Sequence, residues 1–383
     1  MKLKRLVTAV VVLFCTVSLF AQEAEAAKSA SETEVTAEKT EKSRKEKKSK
    51  KAEKAEAPKK EKASKAEKAD RVSEEKAASD EEGFLGVKNL SVRTAADLAY
   101  YPKSDYVAGG DHFAPVTGAF SGLEARVTGW ADYVIPTPLG DHWLLKDANV
   151  KVSGGLEITP IAATAMLQGY FTPVPFFVLG AGASFGAGWN LGPVAGLKML
   201  WQEDREYRSL TTFKNNFYDL WLQGTFQFDT GAIWKGDWTH VLLQASYKTY
   251  YEGLTFTSDE AVWTWKNAMN KANGWQWAAS GIIAYQMPII VNRAGVIAEF
   301  SGHYNSSDYK NFSSWGGNFT TIDINPFAQC ELTKNDSLTA LICFRARRSF
   351  EEDHTSEVDE PYLTYSGNEW FFRRVAFSWT HKF

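Results

Sequence analysis

Charged side chains recur at every second position in several long segments of the sequence, and they are the residues best suited to chemistry. Alternate positions of a β-strand share one face, so a curved sheet of such strands would gather these groups around one interior. There they would either line a passage for polar solutes or pair with one another and fill it. The basic members are Arg93, Arg126, Lys151, Lys248, Arg293, Arg345, Arg347 and Arg374, and the acidic members are Asp97, Glu124, Asp132, Glu157, Asp219, Glu299, Asp323 and Glu331. Because the two signs nearly cancel, we predict no strong ion selectivity, and an open lumen and a filled lumen remain alternatives.

The elements that would position these groups are predicted to be β-strands. In residues 123–135 the odd positions are mostly apolar, whereas Glu124, Arg126 and Asp132 lie at even positions. Similar runs recur to the end of the chain, and helical periodicity is scarce after Gly83. The alternation therefore predicts a nearly all-β domain over residues 83–383.

Three features favour a transmembrane β-barrel over a soluble β-sandwich. The predicted strands are about 12 to 15 residues long, whereas ordinary strands average about five or six and a membrane-crossing strand needs about 9 to 11. Aromatic residues such as Trp130, Tyr250 and Trp275 gather near predicted strand ends, as in the interface girdles of such barrels. Short connections are predicted to alternate with long polar ones at about 102–118, 203–213, 253–274, 306–318 and 349–369. We predict a closed antiparallel barrel of about 12 strands, with 14 as the alternative, because an even number puts both chain ends on one side.

The N-terminal region has two parts of different composition. Residues 1–26 combine a basic start, an apolar run and small residues, which is the layout of a secretory signal peptide. Cys15 follows the bulky Phe14 inside the apolar run, so we do not expect a lipid-modified cysteine. Residues 27–82 consist mainly of Ala, Lys, Glu and Ser without an aromatic residue, which predicts a disordered, charged leader. We interpret this leader as a periplasmic spacer, with binding of its lysines to an anionic cell-wall polymer as the alternative.

We predict no catalytic site, metal site, cofactor or nucleic-acid partner. Cys330 and Cys343 fall on opposite faces of adjacent predicted strands, so a disulfide is not expected. The acidic segment 351–360 lacks the ligand spacing and the glycine of an EF-hand. We interpret this segment as a solvated external loop, with weak divalent-cation bridging to the membrane surface as the alternative.

The end of the chain alternates hydrophobic residues at Val375, Phe377 and Trp379 and finishes on Phe383. This pattern resembles the terminal-strand signal of bacterial outer-membrane β-barrel proteins, although His381 stands where another hydrophobic residue is often found. The resemblance implies recognition by the barrel-assembly machinery, contact with outer-membrane lipid and an outer-membrane location. With the charged lining, it favours a porin-like channel for small polar solutes. A structural or adhesin-like barrel with a plugged lumen is the alternative, and the oligomeric state stays open.

Outer-membrane phospholipases form a class of 12-stranded barrels with a Ser/His/Asn site, and the segment 303–307 invites a comparison with them. That family has a serine two residues beyond its histidine, so that both side chains share a face. The corresponding position here is Asn305, and His303 falls on the predicted lumen face. A lipid hydrolase is therefore the least favoured function. We expect the protein not to be an enzyme, with His303, Asn305 and Ser306 as polar residues of the barrel rim.

Overall fold

The computed structural model describes residues 83–142, 144–258 and 261–383. The predicted signal peptide (1–26) and charged leader (27–82) lie outside the described residues. Within those ranges the helices are short 3-10 turns at Phe84–Gly86, Thr230–Ala232, Ser306–Tyr309 and Glu360–Tyr362. No helix in the described part of the chain is long and apolar enough to span a membrane.

Twelve long antiparallel strands close into a barrel in this part of the chain. Each strand pairs with the next in chain order, and the last pairs with the first, with Arg93 opposite Lys382 and Tyr100 opposite Val375. The strands are β1 Leu90–Lys103, β2 Gly118–Pro136, β3 Asn149–Thr159, β4 Ala162–Val174, β5 Phe177–Gly188, β6 Phe217–Asp229, β7 Val241–Leu254, β8 Gly274–Gln286, β9 Val291–His303, β10 Thr321–Glu331, β11 Asp336–Phe350 and β12 Tyr365–Lys382. The all-β, closed antiparallel prediction is confirmed, with 12 strands rather than the alternative 14.

The connections distinguish two ends of the barrel. The terminal end carries both chain ends of the barrel and the connections 137–148, 175–176, 230–240, 287–290 and 332–335. The loop end carries L1 (104–117), L2 (160–161), L3 (189–216), L4 (255–273), L5 (304–320) and L6 (351–364). The predicted alternation of long and short connections is wrong for L2, which is a tight turn, and for 137–148 and 230–240, which are long. At L2 the Thr159 hydroxyl donates to the Ala162 carbonyl at 3.1 Å, and Pro160, which has no ladder donor, favours the reversal.

The loop end is itself folded. L3 and L4 together form a four-stranded antiparallel sheet in the order Glu206–Ser209, Leu197–Trp201, Val262–Trp265 and Ala268–Ala272. Smaller pairings join Asn190–Leu191 to Val194–Ala195, and His112–Phe113 of L1 to Glu369 and Trp370 of β12 in parallel. The last two strands of the four-stranded sheet are called the L4 hairpin below, and they span Val262–Ala272.

The outward face of the barrel is apolar. Large hydrophobic side chains stay exposed at alternate strand positions, among them Leu123, Leu167, Leu222, Ile283 and Phe377. Side chains of this kind face hydrocarbon when a barrel lies in a membrane. The other face of the same strands carries the charged residues, so strand alternation places them around the lumen.

Two aromatic residues assigned to the interface girdles lie on the lumen face instead. Trp130 lies within β2, and the Arg93 guanidinium is 5.3 Å from its ring centroid. The Tyr250 hydroxyl donates to Gln276 Oε1 at 2.9 Å. Both residues share the strand parity of the charged residues, so alternation outweighs position along the strand. Trp275 does lie outward, with 54% of its surface exposed.

The two cysteines of the barrel are free thiols, which confirms that they form no disulfide. Cys330 lies opposite Leu338 in the β10–β11 ladder. Cys343 is fully buried, and its Sγ lies 3.5 Å from Asp323 Oδ1.

Adjacent glycines of β3 have opposite surroundings. A Cβ atom on Gly155 would lie 2.6 Å from the Trp130 ring, whereas a Cβ atom on Gly154 would meet nothing within 4 Å. We expect Gly155→Val to displace the ring and lower the free energy of unfolding by about 1–3 kcal/mol. Gly154→Val is the matched control, with an expected change below about 0.5 kcal/mol. Denaturant titration in detergent, followed by tryptophan fluorescence, measures both, and equal effects would contradict the lumen position of Trp130.

Candidate functional site

The first group of lumen charges lies where β12, β1, β2 and β3 are neighbours. Arg126 Nε donates to Asp97 Oδ2 at 2.6 Å, and Arg126 Nη1 lies 3.6 Å from Glu157 Oε2. Glu124 Oε2 lies 4.0 Å from Arg374 Nη1. Five of the residues predicted to line the lumen therefore meet in one part of it, with both signs present.

The second group joins β10, β11 and β12. Arg345 Nε donates to Asp323 Oδ1 at 2.7 Å and Nη2 to Oδ2 at 2.5 Å, which is the bidentate geometry of a strong ion pair. Arg373 Nη1 lies 3.9 Å from the same carboxylate. Simple alternation puts Arg373 and Arg374 on opposite faces, so Arg373 was not among the residues predicted to line the lumen. The β11–β12 register skips Arg373, and this bulge lets both arginines reach the lumen.

Three further cations lie against aromatic rings of the lumen wall. Arg93, which lies over Trp130, also donates from Nε to Asp132 Oδ2 at 3.0 Å. Lys248 Nζ is 3.9 Å from Asp219 Oδ2 and also lies over two aromatic rings of β6 and β7. Lys151 Nζ is 5.0 Å from the centroid of a tyrosine ring on β4. Cation–π contacts of this kind hold the long side chains against the wall.

The other predicted lumen residues lie apart from these groups. Arg293 and Glu331 belong to the terminal end, where β9 begins and β10 ends. Glu299 accepts a hydrogen bond of 2.9 Å from an asparagine of β10. Arg347 lies at the loop end, where it pairs with Glu369, which is 1% exposed.

The L4 hairpin crosses the mouth of the barrel. It leaves the wall between β7 and β8, and at its tip Lys266 Nζ pairs with Glu157 on β3. Asn267 Nδ2 donates to Glu124 Oε1 on β2 at 2.9 Å. Because β8 and β2 lie half the barrel apart in the closed strand order, the hairpin spans the lumen from wall to wall. This crossing is not predictable from the sequence, since the polar residues of the hairpin tip are typical of a solvated loop.

Asn270 of the hairpin holds four loops together. Its Nδ2 donates to the Glu357 carbonyl at 2.7 Å and to Glu360 Oε2 at 3.1 Å, both in L6. Its Oδ1 accepts from the Tyr207 hydroxyl of L3 at 2.6 Å, and its carbonyl accepts from the Tyr309 hydroxyl of L5 at 2.8 Å. Burial raises the pKa of both tyrosines, so their hydroxyls remain protonated donors. The φ of Asn270 is 54°, a conformation that asparagine tolerates better than most residues.

L1 joins the same assembly through L6 and β11. The Ala108 amide donates to Asp353 Oδ1 at 3.0 Å, and the Gly109 amide donates to the Phe350 carbonyl at 2.9 Å. The five long loops, L1 and L3 to L6, therefore form one connected structure, which we call the cap.

Two buried clusters of apolar side chains stabilise the cap. The first contains Leu197, Phe217, Leu254, Trp263 and Trp265, and the second contains Leu200, Val262, Tyr309, Trp315 and Phe350. Trp263 is 0% exposed and Trp315 is 1% exposed. The cap is packed as a protein core rather than as a set of separate loops.

A cavity of about 410 Å³ lies in the lumen beside the tip of the L4 hairpin. Its charged lining consists of Asp97, Glu124, Arg126, Glu157, Lys266 and Arg374. In its ion pairs the Arg126 side chain is 55% exposed and the Glu124 side chain 35%. The first group of lumen charges therefore faces a space that a solute can occupy.

Both ring nitrogens of His303 are engaged. Nδ1 lies 2.8 Å from Asp308 Oδ2, and Nε2 lies 3.2 Å from the Tyr309 hydroxyl. Asn305 and Ser306 belong to L5, where Ser306 begins a 3-10 turn. The imidazole therefore contributes to the packing of L5 against β9.

The acidic segment 351–360 forms part of L6. Asp353 and Glu360 accept hydrogen bonds from L1 and L4, respectively. Across residues 83–142, 144–258 and 261–383, no group of three or more His, Cys, Asp or Glu side chains is placed to hold a metal ion.

The predicted assembly-signal residues lie on β12 and just beyond its end. Phe377, Trp379 and Phe383 are 45%, 40% and 46% exposed, and Val375 pairs with β1. The Phe383 amide donates to the Val92 carbonyl at 2.9 Å, so the chain end lies at the seam where the barrel closes. Recognition of these residues by the assembly machinery stays a prediction.

Neither a protein-family model nor a curated protein matches the sequence. Among solved structures, the chain is similar to the KdgM porin, with 9% identity and a TM-score of 0.33, over 76% of this chain and 99% of that one. It is also similar to an outer membrane channel from Pseudomonas putida F1, with 10% identity and a TM-score of 0.40, over 77% and 96% of the two chains. The chain is also similar to the β domain of the Bordetella autotransporter BrkA, with 9% identity and a TM-score of 0.41, over 76% of this chain and 99% of that one. Similarities this weak carry no argument about function.

Proposed function

We propose that the protein is a porin-like channel of the bacterial outer membrane that conducts small polar solutes through the barrel lumen. The observation that carries the proposal is the cavity of about 410 Å³ that lies inside the barrel and is lined by side chains of both charges. The L4 hairpin meets the far wall there through Lys266 and Asn267, which are polar contacts that water can share. A hydrated lumen narrowed by the hairpin admits small polar solutes and restricts large ones.

The apolar outward face supports a membrane location, because a closed barrel leaves no unpaired backbone edge in hydrocarbon. The predicted signal peptide and the terminal-strand pattern favour the outer membrane. In this arrangement lipid surrounds the barrel, the cap lies outside the cell, and the leader 27–82 lies in the periplasm. The lysines of the leader are then available to an anionic cell-wall polymer.

The cap favours a second candidate function, a structural or surface-interaction barrel with a closed lumen. Five loops are joined through Asn270, L1 and two buried apolar clusters, so the outer surface of the cap has a fixed shape. Charge pairing between Arg345 and Asp323 would help to fill the lumen. Catalysis is part of neither proposal.

Single-channel recording of the full chain without its signal peptide, in a planar bilayer, tests the first proposal. We expect discrete conductance steps with little preference between potassium and chloride, because acidic and basic groups of the lumen are paired. Heat-modifiable migration in gels shows that the barrel has folded. A folded barrel without conductance would contradict the channel and favour the surface-interaction function.

A further inference from the structure

We propose that the cavity beside the L4 hairpin binds a small zwitterion, a molecule that carries an ammonium group and a carboxylate a few ångströms apart, such as an amino acid or a short peptide. This inference rests on the proposed channel function, because the cavity lies on the path that a solute would take. It adds a chemical class of solute to that proposal.

The two most accessible charges of the cavity are of opposite sign. Glu124 and Arg126 are two positions apart on β2, so their side chains share the lumen face and their Cα atoms are about 7 Å apart. The side chains are 35% and 55% exposed in their ion pairs. A solute carboxylate can bind Arg126 while the ammonium group of the same molecule binds Glu124.

The geometry of Arg126 leaves a donor for a ligand. Asp97 binds Arg126 through Nε at 2.6 Å, which fixes the guanidinium, whereas Nη1 lies 3.6 Å from Glu157. Arg374 Nη1 lies 4.0 Å from Glu124 Oε2 and donates to the Tyr101 hydroxyl at 3.2 Å, whereas Arg374 Nε is buried without a hydrogen-bond partner in the described structure. Separations of 3.6 and 4.0 Å exceed those of a direct hydrogen bond. A ligand carboxylate can therefore replace the long contact of Arg126 Nη1 with Glu157 while Asp97 stays bound. Glu124 accepts hydrogen bonds from the Tyr101 hydroxyl and from Asn267 Nδ2, and each carboxylate oxygen keeps a second lone pair for a ligand ammonium group.

Solutes of a single charge fit the cavity less well. A simple anion meets the carboxylates of Asp97, Glu124 and Glu157, and a simple cation meets Arg126, Arg374 and Lys266. Like charges brought together in this way reduce affinity. An uncharged polar molecule avoids repulsion but offers no charge to either exposed group. A zwitterion supplies both charges and stays neutral overall.

Four molecules of nearly equal size separate these cases: 4-aminobutanoate, butanoate, butylammonium and butanamide. Saturation-transfer NMR on the full chain without its signal peptide, in detergent micelles, measures binding of each without requiring conductance. We expect 4-aminobutanoate to bind at least ~10-fold more tightly than the other three. Glu124→Gln should move the preference toward butanoate, and Arg126→Gln should move it toward butylammonium.

Glu299→Gln is the matched control, since it removes a lumen carboxylate of β9 that does not line the cavity. It should leave the order of the four affinities unchanged. Equal binding of the four molecules to the folded wild-type protein, or no binding at all, would overturn the inference. Conductance is measured separately, so a conducting channel without the preference contradicts only the zwitterion site. A silent barrel that binds 4-aminobutanoate contradicts only the channel.

Discussion

Replacing the L4 hairpin, Val262–Ala272, by a Gly-Ser-Gly linker is expected to raise single-channel conductance roughly threefold or more, because a barrel of this size is otherwise wide enough for water and solutes. The hairpin crosses from the β7–β8 wall to Glu124 and Glu157, so its removal takes away an obstruction at the loop end. Asn273 stays in this variant, and its Nδ2 still donates to Thr257 Oγ1 at the base of L4. Planar-bilayer recording measures the change, and larger polar solutes should also enter liposomes faster.

The double substitution Lys266→Ala and Asn267→Ala is the matched control for the hairpin. It removes the contacts with the far wall but keeps the buried Trp263 and Trp265 that pack the hairpin into the cap. We expect conductance between those of the wild type and the deletion variant, with more frequent switching between levels. Unchanged conductance in a folded deletion variant would show that the hairpin does not limit the path.

Trp263→Ala is expected to destabilise the cap by about 3–5 kcal/mol, the usual cost of removing a large buried aromatic side chain. The indole is 0% exposed, lies 6.2 Å from the Phe217 ring between centroids, and donates from Nε1 to Asn273 Oδ1 at 3.0 Å. Hydrogen exchange of the L3 and L4 amides measures the loss. The β1–β12 ladder should keep its protection, because the barrel closes through backbone pairing that involves no residue of L3 or L4.

Trp201→Ala is the control within the same four-stranded sheet. Trp201 is 41% exposed, and its ring makes a cation–π contact with the Arg208 guanidinium, which lies 4.6 Å from the ring centroid. We expect this substitution to destabilise the cap by less than about 1 kcal/mol, which is the usual contribution of an exposed cation–π contact. If both substitutions speed hydrogen exchange of the L3 and L4 amides equally, Trp263 is not part of a packed core.

The barrel could be predicted because strand alternation is a local property. The alternation of residues such as Leu123 and Glu124 assigns each side chain to the apolar or the polar face from only a few neighbouring positions. Long alternating segments are compatible with few folds other than a barrel. The assignment of Trp130 and Tyr250 to the interface girdles was wrong because closeness to a strand end was given more weight than this alternation.

The cap could not be predicted because its contacts join residues that are distant in sequence. Asn270 meets Tyr207, Glu357 and Glu360, and nothing around Asn270 in the sequence indicates those partners. Arg373 was missed for a related reason. A bulge depends on how two strands pair, which the sequence of one strand does not state.

The seam between β1 and β12 has a consequence for the order in which the chain folds. Arg93 pairs with Lys382, so this ladder joins the two ends of the barrel domain and has the largest loop-closure entropy of any strand pair in it. L1 then adds a parallel pairing of His112 with Glu369 on the same strand. Contacts this distant in sequence form late in folding. The pairing between L1 and β12 therefore forms only in a chain whose first and last strands have met, which makes it a marker of complete assembly.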